Sequence, residues 1–169
     1  MLLEFSDWLS RTGLNAFFAD TTRMETWLII PMSQTIHILG VGVVMVAVGM
    51  LNLHLLGVRV SRLNFAELSA RMMPWIWIAL AALLVTGVVQ TIAEPTREIM
   101  NMTFRIKVIM LVIVVLITVA YRTQVKKDPN YWSGSRQVLA QGLASLSIVL
   151  WLGIVAAGRL VAYVGAIES

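Results

Sequence analysis

His37 is the residue with the most chemistry to offer. It lies ten residues beyond Trp27 in a long apolar run, roughly 15 Å of helix rise and close to mid-membrane once that run crosses a bilayer. An imidazole at such depth is costly and asks for a partner. Ser33 and Gln34 precede it by about one turn on the same face, and Gly40 follows by almost one turn. Lys107 enters a later apolar run just after Phe104. Arg159 lies in the last turns of the final run with Tyr163 one turn on, and Gln90 and Glu94 close the second. A neutral imidazole binds iron and other metals, and cations in hydrocarbon seek carboxylates or phosphates. His37 is therefore the candidate metal ligand. His37, Gly40, Lys107 and Arg159 together form the candidate cofactor-binding set.

Plainer roles stand beside these. Lys107 and Arg159 can each snorkel to a membrane surface, and His37 can be a hydrogen-bonded packing residue between helices. His54, the other histidine, is 17 residues from His37, about 25 Å along a helix axis. The two cannot ligate one iron within a protomer, so His54 reads as an interfacial residue. Met24, Met32, Met100 and Met102 fall near the same end as His37, and thioethers with a histidine suit Cu(I). Methionine is also an ordinary apolar helix residue. No nucleophile–base–orienter set, phosphate loop or zinc-ligand spacing is present, so an ordinary soluble-enzyme mechanism is not expected.

These residues belong to a chain built for lipid. Its 169 residues are 59% hydrophobic and 13% charged, with a mean hydropathy of +0.83, against about 25% charge and 45–50% apolar residues in a soluble domain. The apolar excess falls in four blocks, roughly Trp27 to Leu56, Met73 to Ala93, Phe104 to Tyr121 and Val138 to Val164; a span needs about 20 apolar residues. The expected fold is all-α, a four-helix transmembrane bundle occupying residues 25–169. Residues 1–24 supply an N-terminal interfacial amphipathic helix, with Leu2, Leu3, Phe5, Trp8 and Leu9 set against Glu4, Asp7 and Arg11, and a break at Gly13. Pro31 and Pro74 are placed near the starts of the first two spans, where a missing N–H costs nothing. Gly42, Gly49, Gly153 with Ala157, and Gly158 with Ala162 supply small surfaces for helix contacts.

The net charge of +4 reflects orientation and not nucleic acid, because no basic–aromatic interleaving accompanies it. The first loop region holds Arg59, Arg62 and Arg71, and the third holds Arg122, Lys126, Lys127 and Arg136. Arg11, Arg23, Arg97 and Arg105 occupy the opposite side. The excess places the first and third loops in the cytoplasm and both termini in the periplasm. Most acidic residues (Glu4, Asp7, Asp20, Glu25, Glu94, Glu98, Glu168) then fall outside. The chain has no cysteine, which removes disulfides, iron–sulfur clusters and thiolate metal sites. Its N-terminus lacks the pattern of a cleaved signal peptide.

Three stretches carry a resemblance: QTIHILGVGVV in the first span, MTFRIKVIMLVI opening the third and LWLGIVAAGRLVAY closing the fourth. Together they resemble an uncharacterised family of small four-helix bacterial inner-membrane proteins, over nearly the whole chain. The family's helix-one histidine corresponds to His37, its phenylalanine-x-x-lysine to Phe104 and Lys107, and its glycine–arginine pair to Gly158 and Arg159. More distantly, a helix-one histidine with a lysine early in a later helix is similar to CopD-type copper-resistance proteins and to the haem-binding HemJ-type protoporphyrinogen oxidase. That likeness implies a b-type haem or copper. The chain departs from the pattern at His54, where an arginine is expected after the Asn-Leu pair.

Three readings are open on these residues. In one, the chain is a small inner-membrane subunit binding haem b for electron transfer or for anchoring a redox partner. His37 is then an axial ligand, Gly40 admits the ring, and Lys107 and Arg159 pair with the propionates. In another, it is a cofactor-free scaffold of a larger membrane complex, and Cu(I) handling is the third. The expected partners are the lipid bilayer, other membrane subunits or further copies of the chain, and a periplasmic partner.

Overall fold

The computed structural model describes residues 2–19, 24–58 and 61–167. The described residues form seven α-helices: α1 (Leu2–Ser10), α2 (Gly13–Ala19), α3 (Met24–Leu55), α4 (Phe65–Ala93), α5 (Pro95–Met100), α6 (Met102–Lys127) and α7 (Gln137–Ile167). The structure is all-α, and its four long helices, α3, α4, α6 and α7, are long and apolar enough to cross a membrane.

Local sequence sets the helix ends. α3 stops at a Schellman turn: Gly57 takes φ +89°, its N–H reaches the His54 carbonyl at 3.1 Å, and Val58 N–H reaches Leu53 O at 3.0 Å. α4 opens on a capping box, in which Asn64 accepts from Glu67 N–H at 2.9 Å and Glu67 accepts from Asn64 N–H at 3.2 Å. Asn101 caps α6 through Thr103 N–H at 2.8 Å. Because α4 begins at Phe65, Pro74 lies in the helix interior and not in its first turn. Arg71 likewise belongs to α4 and Arg105 to α6, outside the loops in which sequence reading placed them. Pro31 also lies within α3. Membrane helices tolerate such prolines because neighbouring groups take up the freed carbonyls; Thr35 Oγ1 makes the common back-bond to the Pro31 carbonyl one turn before it, at 2.8 Å.

Antiparallel pairs α3–α4 and α6–α7 form the bundle, joined through α3 and α7, while α4 and α6 touch only sparsely. Short connections dictate the antiparallel pairing. Mid-bundle, Val44, Ala47, Val48, Ile76, Val114, Ile117 and Ile154 are all buried and form an apolar plug. The outward faces carry exposed Ile38, Val46, Ile78, Leu84, Ile109, Leu116 and Val149, the surface that hydrocarbon would solvate.

The N-terminal segment is two helices. The chain breaks at Arg11–Thr12, and the Thr12 hydroxyl accepts from Asn15 N–H at 3.4 Å. α1 packs on α5, and α2 on α4 and α3. The Asn15 amide donates to the last carbonyls of α4, Ile92 O at 2.8 Å and Ala93 O at 3.3 Å. α1 exposes Leu2, Leu3, Phe5 and Trp8, the apolar edge read from the sequence.

Candidate functional site

His37 sits on α3 and its Nδ1 lies 2.8 Å from Thr86 Oγ1 on α4. The threonine hydroxyl has one proton, and Ala82 O stands 2.8 Å from it as the helical i−4 acceptor. When that proton goes to Ala82 O, Nδ1 donates to Thr86 and Nε2 carries the lone pair. Among the described residues nothing bonds Nε2. Ser33, one turn before His37, donates to the Thr86 backbone carbonyl at 3.4 Å. Two residues of α3 thus clasp one residue of α4. The imidazole also passes close to Gly87: its Cε1 is 3.8 Å from the point where a Cβ on Gly87 would stand.

Lys107, on α6, stands close enough for its charge to act on the His37 ring, and Glu98 of α5 is close enough to act on Lys107. Its Nζ is 3.8 Å from the Cβ position of Gly158 on α7, which places the ammonium against that helix. His37, Gly87, Gln90, Lys107 and Gly158 are each half-buried, whereas two turns deeper Val44 and Val114 are closed off completely. The layer is half-buried, lies toward the α5 end and is backed by apolar side chains.

The structure brings His37 and Lys107 together and places the other two candidates differently. Arg159 follows Gly158 but is exposed on α7, with no hydrogen bond or ion pair among the described residues. Gly40 is buried against α4, where an added Cβ would meet Leu83 Cγ and Cδ2 at 3.2 Å; the space beside it belongs to the helix contact. Met32 and Met102 are exposed. Asp20, Arg23, Arg59 and the side chains of Met24, Glu25, Arg97, Ala162, Tyr163 and Glu168 lie outside the described residues. Among the described residues no three His, Asp or Glu side chains gather as a metal site.

Thr86 was missed in the sequence, although a threonine in an apolar span is a recognised interhelical donor. A second polar cluster was missed altogether. At the other end of the plug, Asn52 of α3 donates to Ser147 Oγ of α7 at 3.0 Å and accepts from the Tyr121 hydroxyl of α6 at 3.4 Å. All three are buried. An aromatic chain wraps this end, Phe65 to Tyr121 at 6.0 Å and Tyr121 to Trp132 at 5.4 Å between centroids. His54 leans on Phe65 at 6.1 Å. Since α3 runs unbroken from His37 to His54, the two imidazoles serve opposite ends of the bundle.

Residues 12–164 match a family described as a family of unknown function, DUF6644. The chain belongs to that family. The match spans α2 and all four long helices, so it includes His37, Thr86, Lys107 and Gly158. No curated protein and no solved structure matches the chain.

The residues that could hold a haem b are His37, whose Nδ1 is anchored and whose Nε2 has no bond among the described residues, and Lys107, whose ammonium could pair with a propionate.

Proposed function

We propose that the protein is a small multi-pass subunit of the bacterial inner membrane, both termini periplasmic, that binds haem b through His37 and serves electron transfer or the anchoring of a redox partner. The observation that supports this reading is the His37–Thr86 hydrogen bond, which anchors Nδ1 and leaves Nε2 without a bond among the described residues. Thr86 anchors the ring, Ser33 ties the same residue of α4 to α3, and Lys107 offers a cation to a carboxylate. The plug below keeps water from the ring's deeper side. A bound haem would supply one-electron chemistry. The looser resemblance to HemJ-type proteins points the same way, and that to CopD-type proteins leaves Cu(I) as a rival ligand for His37.

A cofactor-free scaffold is the second reading. The Asn52–Ser147–Tyr121 network favours it, because it ties three helices together with no open ligand position. Reduced-minus-oxidised difference spectra of the purified protein, supplied with haem during expression, separate the two. The haem reading expects the sharp bands of a b-type cytochrome, abolished by His37→Ala and largely intact in His54→Ala. A folded, colourless wild type would hand the site to the scaffold reading. Equal loss in both variants would overturn the single-site arrangement in favour of haems shared across protomers.

A further inference from the structure

Among the described residues, five buried side-chain nitrogens have no hydrogen-bond partner: His54 Nδ1, Trp77 Nε1, Gln90 Nε2, Trp132 Nε1 and Trp151 Nε1. His54 and Trp132 belong to the far end, and Trp151 lies within a turn of Ser147. Gln90 is different, because it follows Thr86 by four residues on α4 and so stands on the same face, one turn nearer the α5 end of the His37 layer.

Its surroundings are otherwise satisfied. The Gln90 carbonyl accepts from Glu94 N–H at 3.1 Å, and the Thr91 hydroxyl donates to Gly87 O at 2.9 Å. The side-chain amide is left over, and its NH2, with two protons to give, is the buried part. A buried donor without an acceptor is unfavourable, most of all where water is scarce. The cation that faces the layer from α6 is Lys107, and its charge is shared with Glu98 of α5. Neither residue answers the Gln90 amide.

We infer that Gln90 is a ligand-contacting residue of this site, donating through Nε2 to a carboxylate of the bound group beside the Lys107 ammonium. The inference rests on the haem reading above and assigns that site its acid-recognising edge: the preferred ligand is a metalloporphyrin bearing carboxylates, not an uncharged one. Lys107 supplies charge, and Gln90 supplies direction through a hydrogen bond to an ionised acceptor.

The test is a pair of titrations on the purified full-length chain in detergent, with ferric haem and with iron etioporphyrin, which carries alkyl groups in place of the propionates. Wild type should bind haem the more tightly. Gln90→Leu should weaken haem roughly tenfold, the scale of one charge-assisted hydrogen bond, and leave iron etioporphyrin unchanged. Retained etioporphyrin binding also reports that the variant is folded. Gln90→Glu, which sets a like charge against the propionate, should weaken haem further with the same etioporphyrin affinity, and it decides the matter should Gln90→Leu not fold. Haem affinity equal to wild type in both variants would overturn the role of Gln90 while leaving haem binding standing. A wild type that binds neither porphyrin would overturn the haem reading, and this inference with it.

Discussion

The Nδ1 of His37 and the Oγ1 of Thr86 are 2.8 Å apart, and this one contact joins the first two spans at the level of the candidate site. Thr86→Val keeps the shape and removes the hydroxyl. The variant should lose about 0.6 kcal/mol and at most roughly 2 kcal/mol of stability, the range of interhelical hydrogen bonds in membranes. It should also broaden or shift any bands due to His37, because the ring is no longer held. Denaturant unfolding in detergent and optical spectra on one sample check both; an unchanged spectrum with lowered stability would reduce Thr86 to packing alone.

Gly40 and Gly42 make a matched pair of tests for helix contact. A Cβ at Gly40 would stand 3.2 Å from Leu83, while at Gly42 it would meet nothing. Gly40→Val should therefore cost about 1–3 kcal/mol through overpacking, and Gly42→Ala should be neutral or slightly stabilising. Equal unfolding midpoints for the two variants would contradict the α3–α4 packing described here.

The buried network at the far end invites a double-mutant cycle. Asn52→Ala and Ser147→Ala remove the two ends of a 3.0 Å bond, and their coupling should come out near 0.6 kcal/mol, with an upper bound of about 1.7 kcal/mol. Additive losses would place the two side chains out of contact. Neither variant should disturb the spectrum of a group held at His37, since the plug lies between.

Asn15→Ala should free α2 from the end of α4 by removing its bonds to Ile92 O and Ala93 O. Hydrogen exchange through α1 and α2 should accelerate while the midpoint of bundle unfolding stays near wild type. Unchanged exchange would mean that α1 against α5 holds the segment alone.

Orientation is open to reporter fusions placed after Ser169 and at Asp128, which should report opposite compartments. The proposed arrangement puts Ser169 in the periplasm; the reverse result would turn the His37 layer toward the cytoplasm.

The spans were legible because hydropathy is additive along a helix: a block such as VIMLVIVVLITVAY in α6 needs no knowledge of its neighbours. The helix starts were less so. The Asn64-x-x-Glu67 box was readable and went unused, while Pro74 drew the start of α4 too far along the chain. At the site, His37 and Lys107 were conspicuous because their side chains are costly in hydrocarbon. Thr86, Ser147 and Asn52 were not, since a small polar residue reveals its role only when the rotation of two helices brings a partner opposite. Arg159 shows the same limit from the other side. Its chain position is level with the His37 layer, but its exposure depends on a helix rotation that spacing alone does not determine.

The plug of Val44, Val48, Val114, Ile117 and Ile154 has an electrical consequence. It is a dielectric slab between two polar layers, so most of a transmembrane voltage should fall across it and not across the His37 layer. Each elementary charge carried through the whole voltage is worth about 2.3 kcal/mol per 100 mV. An electron or proton that arrives at His37 from the α5 side should traverse less of that drop than one carried on to the Asn52 layer. The midpoint of a group seated there would then follow the ionic conditions of the compartment beside α5 and respond less to membrane energisation than one at the Asn52 layer.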